Sequence, residues 1–86
     1  MYDHSLDICF QDGIQYRGTP VLGMSDVMSA EDCQKECQTH IDCQFWTWIS
    51  PNFRRNKNLC HLKASKGETE AVSGKISGPR TCPGNI

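Results

Sequence analysis

Six cysteines in 86 residues, at positions 9, 33, 37, 43, 60 and 82, constrain this chain more than any other feature. A chain of this length buries only roughly two-thirds of the surface its unfolded form exposes. Apolar residues make up 37% and mean hydropathy is -0.55. So thin a core needs a staple, either disulfides or a metal. An even cysteine number in a short chain indicates an oxidising compartment and a disulfide framework. Zinc is the rival, with His40 and His61 as added ligands. Structural zinc, however, favours two tight cysteine or histidine pairs, and only Cys33-x3-Cys37 has that spacing. No metal and no cofactor is therefore expected.

Six cysteines allow 15 pairings. Cys9 and Cys82 lie near the two termini, which in single domains often sit close together. Joining them closes a long loop, rated at roughly 4 to 4.5 kcal/mol by the chain-entropy relation. Cys33 and Cys37 are four apart and share one side of a helix. A strand returning from Cys43 along that helix leaves Cys37 nearest Cys43, and Cys33 opposite Cys60 of the following strand. The economical pairing is Cys9–Cys82, Cys33–Cys60 and Cys37–Cys43.

The chain reads as a polar tail over 1–7, one domain over 8–82 and a short tail over 83–86. Asp12-Gly13 between the strand-like runs 8–11 and 14–17 predicts a hairpin. Val21-Leu22 adds a short strand after Pro20. Ser29 is the expected N-cap of a helix over 30–39, with Asp32 completing a box-like pair and Met28 placed to start a hydrophobic staple. Glu31 and Asp32 suit the positive end of the helix dipole. Residues 44–49 (Gln-Phe-Trp-Thr-Trp-Ile) and 58–63 predict two strands joined by a wide loop. A turn over 65–70 and a last strand over 71–77 follow, with an irregular end at Pro79 and Pro83.

The run Cys33-Gln34-Lys35-Glu36-Cys37, then Cys43-Gln44-Phe45-Trp46-Thr47-Trp48, resembles the central motif of the PAN/apple family. That motif is C-x3-C, five residues, then C-x-x-aromatic-x-aromatic. Cys60-His61-Leu62-Lys63 resembles the family's next strand. Ser73-Gly74, Ser77-Gly78 and Cys82 resemble its closing segment. The resemblance covers residues 9–82. It implies an α+β fold, a curved antiparallel sheet packed around a single helix, and the pairing given above. It also places Trp46 and Trp48 at buried aromatic positions. Strict alternation from Cys43 would set Cys43 on the face opposite both tryptophans, so Cys43 belongs in the turn before the strand. The wording is most similar to the tandem apple modules of apicomplexan microneme adhesins, which implies a secreted, extracellular, micronemal protein.

Candidate binding residues follow from charge and exposure. Arg54, Arg55 and Lys57 put three cations on the wide loop, suited to a sulfate or carboxylate, and Lys63 and Lys66 extend the patch. Phe53 at the same tip is an apolar anchor. Trp46 and Trp48 suit a core better than a sugar-stacking platform. The histidines, including His61 beside Cys60, are given no role.

Several function classes are disfavoured. A net charge of -1 gives no global case for nucleic acid. No apolar run approaches the roughly 20 residues of a membrane span. The first residues lack the pattern of a secretory signal, as expected of an excised module or mature fragment. No Asn-x-Ser/Thr site occurs. No catalytic motif is present, and oxidised cysteines leave no nucleophilic thiol. The sequence thus predicts a non-catalytic binding or adhesion module for a protein or carbohydrate, as one repeat of a larger secreted adhesin. The alternatives are a spacer or assembly unit among neighbouring apple modules, a module that docks a serine protease or zymogen, and a protease inhibitor that presents Arg54 or Arg55.

Overall fold

A computed structural model describes residues 9–51 and 58–82. The expected ligand loop residues Phe53, Arg54, Arg55 and Lys57 lie outside the described residues. Five antiparallel strands, β1 (Gln11–Tyr16), β2 (Pro20–Met24), β3 (Phe45–Ile49), β4 (Leu59–Lys63) and β5 (Thr69–Pro79), form one sheet in the order β1-β5-β3-β4-β2. The helix α1 (Ala30–Thr39) packs on one face of that sheet.

Helix α1 starts where the cap predicts. Ser29 is extended and its hydroxyl accepts the Asp32 N–H at 3.0 Å. This satisfies one of the amides that the first helical turn leaves without a partner. Met28 is 66% exposed and forms no staple. Val27 is buried in its place, and its carbonyl accepts the Trp48 indole N–H at 2.7 Å. The helix buries only Ala30, Cys33 and Cys37, a stripe too narrow to hold it by hydrophobic burial. Covalent bonds take over: Cys33–Cys60 bolts the helix to β4, and Cys37–Cys43 ties its last turn to the following loop. Cys9–Cys82 closes the described chain across a separation of 73 residues.

The core is a single cluster in which Trp46 and Trp48 meet Cys33, Cys37, Cys43, Cys60, Leu62, Val27 and Ala30. Cys43 precedes β3, so the tryptophans and that cysteine reach the same side. The Trp46 indole donates to the Pro79 carbonyl at 2.8 Å, and its ring meets Phe10 edge-on at 4.9 Å. Gly78 lies opposite Trp46, and a Cβ there would come within 2.6 Å of the indole.

The hairpin expectation is corrected as well. Asp12-Gly13 is not a hairpin turn, because β1 runs straight through it and pairs with the distant β5. Between Asp12 and Ile14 the β5 partner jumps from Ile76 to Ala71. Gly13 (φ +79°) and Gly74 (φ +93°) supply the left-handed backbone at this bulge. A local turn signal lost to long-range pairing.

Candidate functional site

Period-two alternation divides every strand between the helix side and the opposite side of the sheet. On β3, Trp46 and Trp48 take the helix side, leaving Phe45, Thr47 and Ile49 on the other. The cross-strand register then sets Thr47 opposite both His61 of β4 and Ser77 of β5. Phe45 pairs with Lys63, and Ile49 with Lys75. These positions, with Gln15 of β1, build a cleft of about 190 Å³ lined by Gln15, Thr47, Ile49, His61, Lys63 and Lys75.

The floor of the cleft is fixed. Thr47 and Ile49 are 2% and 3% exposed. A chain of hydrogen bonds holds Thr47 in place. The Tyr16 N–H donates to Thr47 Oγ1 at 3.2 Å, the Thr47 hydroxyl bonds Ser77 Oγ at 2.6 Å, and the Ser77 hydroxyl donates to the Ile14 carbonyl at 2.7 Å. Each buried hydroxyl has both a donor and an acceptor role filled. These bonds tie β1 to β3 and β5 where the bulge interrupts the ladder.

The walls are polar and basic. Lys75 Nζ donates to Gln15 Oε1, and the Gln15 amide in turn meets Glu70 at 3.4 Å. Arg17 pairs with Glu70 at 2.7 Å on the exposed rim. Among the described residues Lys63 has no acidic partner. Burial lowers the Lys63 ammonium below its ordinary pKa, and the charges of Lys75 and Arg17 add to that. Burial likewise lowers His61, with Lys63 and Lys75 adding to the effect. Desolvated like charges of this kind lower stability, and such groups concentrate at functional sites. Among the described residues no group of three His, Cys, Asp or Glu is placed to hold a metal ion.

Of the expected binding residues that are described, Lys63 lines the cleft. Lys66 lies over the Tyr16 ring, 5.3 Å from its centroid, and does not line it. Trp46 and Trp48 are 0% and 7% exposed and face the helix, so no sugar-stacking platform forms there. Sequence reasoning missed Gln15, Thr47, His61 and Lys75. The signal available was alternation: once Trp46 and Trp48 face inward, Thr47 and Ile49 face outward, and so do their pairing partners.

The family model of the PAN domain matches residues 12–63. The chain belongs to the PAN domain family. Among curated relatives, this PAN module is 39% identical over 67 residues to microneme antigen L2 of Sarcocystis muris, covering 78% of this chain and 45% of that protein. It is 34% identical over 83 residues to a microneme antigen of the same organism, covering 93% of this chain and 32% of the relative. The chain thus spans less than half the length of either. Among solved structures, TgMIC4-A5 in complex with lacto-N-biose superposes with a TM-score of 0.71 at 22% identity, over 86% of this chain and 99% of that one. The two N-terminal apple domains of Toxoplasma gondii microneme protein 4 give 0.62 at 27% identity, over 90% of this chain and 47% of that one. A PAN module from Eimeria tenella gives 0.60 at 24% identity, over 93% and 94% of the two chains. No described helix is long and apolar enough to cross a membrane.

Proposed function

We propose that this PAN module is a non-catalytic adhesion module that recognises a carbohydrate, with residues 8–82 as one unit of a longer secreted micronemal protein. The observation that carries this reading is the likeness to a module solved with lacto-N-biose, at a TM-score of 0.71. The microneme antigens among its relatives support the secreted, micronemal setting. The cleft adds physical support. A fixed apolar floor at Ile49 with convergent polar groups suits one sugar ring, whose carbons pack while its hydroxyls bond. At about 190 Å³ it falls below the roughly 300–1,000 Å³ of drug-sized pockets. The basic loop of Arg54, Arg55 and Lys57, with Phe53, stands as a second candidate contact.

Glycan-array binding of the oxidised domain tests the proposal, beside titration with lacto-N-biose followed by amide chemical shifts. Saturable binding of any saccharide is the expected result. A triple Arg54→Ala/Arg55→Ala/Lys57→Ala variant separates loop from cleft. Absence of all saccharide binding, with binding or self-association of tandem modules, would favour a spacer or assembly unit instead. The matching two-module structure supports that second reading.

A further inference from the structure

We infer that the cleft on the helix-free face of the sheet is an anion subsite, taking the carboxylate or sulfate of an acidic saccharide. The inference rests on the carbohydrate reading above and narrows it to a charged ligand class. Its basis is a disagreement between the whole chain and this one place. The chain carries a net charge of -1, yet Lys63 of β4 and Lys75 of β5 line one cavity with His61, also of β4. Glu70, which meets Gln15 at 3.4 Å, is engaged by Arg17 at 2.7 Å. Lys75 is positioned by Gln15, whereas Lys63 has no acidic partner among the described residues.

The charges do not come from a solvated surface run. They arise on β4 and β5, on either side of β3, and register brings them to one cavity. An anion between Lys63 and Lys75 would relieve their mutual repulsion and supply charge-assisted hydrogen bonds. The Ile49 side chain on the floor would meet the carbon skeleton that carries the anion. Gln15 and His61 would bond neighbouring hydroxyls. Two lysines rather than a forked arginine pair suit a point anion on a ring, with no demand for bidentate planar geometry.

The test titrates the oxidised domain with sialyllactose, sulfated lactose, uncharged lactose and a polyglutamate peptide, following amide shifts of the unaltered chain. Both acidic sugars are expected to bind roughly tenfold or more tighter than lactose, since a hydrogen bond to a charged group typically exceeds one decade in affinity. Shifts should centre on Gln15, Thr47 and His61. Lys63→Gln and Lys75→Gln should each weaken acidic binding by roughly tenfold, whereas Lys35→Gln on the exposed helix surface should not. Near-UV circular dichroism of each variant, and shift mapping that needs no variant, separate lost binding from lost folding. Sialyllactose binding without sulfated lactose assigns the source as a carboxylate, and the reverse as a sulfate; both support the subsite. Equal binding of lactose would overturn the anion subsite and leave the carbohydrate reading standing. Acidic binding mapped elsewhere, or lost equally in Lys35→Gln, overturns the subsite. Polyglutamate binding as tight as the sugars' would reassign the cleft to acidic proteins. No saccharide binding of any kind removes both readings.

Discussion

On the helix side of the sheet, Trp46, Leu62, Cys33, Cys37, Cys43 and Cys60 are all 0% exposed, and each indole N–H has a carbonyl partner. On the opposite side, Thr47 and Ile49 are nearly as buried, yet the side chains standing over them are His61, Lys63, Lys75 and Gln15. The same five strands build both faces. One face gains from excluding water, and the other keeps cations where burial penalises them. The difference teaches that one face is what a stability criterion produces, whereas the second holds groups that such a criterion alone would not place there.

The comparison predicts a steep gradient of effects. Trp46→Ala should cost about 3 to 5 kcal/mol, which approaches the whole stability of a small domain. Urea unfolding checks this, and a loss below about 1 kcal/mol would contradict the assignment of the stabilising core to the helix side.

Arg80→Ala comes next. Helix α1 has no basic residue in its last turn. The Arg80 guanidinium, arriving from the end of β5, donates instead to the carbonyls of Cys37, Gln38, His40 and Cys43 at 2.7 to 3.1 Å. Removing it leaves the helix C-terminus without a counter-charge and should cost about 2 to 3 kcal/mol. Hydrogen exchange should localise the loss to the last helical turn. Uniform loss across the sheet would speak against this role.

Thr47→Val sharpens the comparison on the cleft floor. It keeps the shape and removes a hydroxyl bonded to the Tyr16 N–H and to Ser77. The expected cost is about 1 to 2 kcal/mol. A neutral result would mean that the floor is held by packing alone.

His61 gives a pH signature. Its folded pKa lies below the ordinary 6.5. The unfolded chain therefore binds the proton more readily, and stability is fullest above pH 6.5 and declines as pH falls through 6.5 toward the folded value. Urea midpoints across that window should slope in wild type, and the slope should diminish in His61→Gln. An unchanged slope would assign it to other groups.

The smallest effect belongs to Lys63→Gln, which should leave stability unchanged or slightly raised, within about 0.5 kcal/mol. That lysine is held below its ordinary pKa by burial and by Lys75 and Arg17, so its charge costs stability. A loss of more than about 1 kcal/mol would make the second face structural after all.

Much of the fold was legible because its signals are local and agree with each other. Ser29 with Asp32 marks the start of α1, and the aromatic run of β3 and its return through β4 occupy neighbouring segments. Asp12-Gly13 misled for the same reason. A turn signal reports what two residues tolerate, and a bulge tolerates the same backbone as a hairpin. The cleft was mostly illegible. Lys63 stood out by charge, but Gln15 and Lys75 are 60 residues apart and meet only through the strand order.

By itself the sequence determined the need for covalent staples and the helix, because composition and capping act over a few residues, and its resemblance to the PAN/apple family implied the inward tryptophans. Tertiary structure alone decided that β1 joins β5 rather than folding on itself, that Arg80 caps a helix more than 40 residues before it, and that His61, Lys63 and Lys75 share one cavity. The physical reason is register. Which residues stand side by side across a sheet depends on pairings between distant segments, and a bulge between β1 and β5 resets which β1 residues stand beside β5.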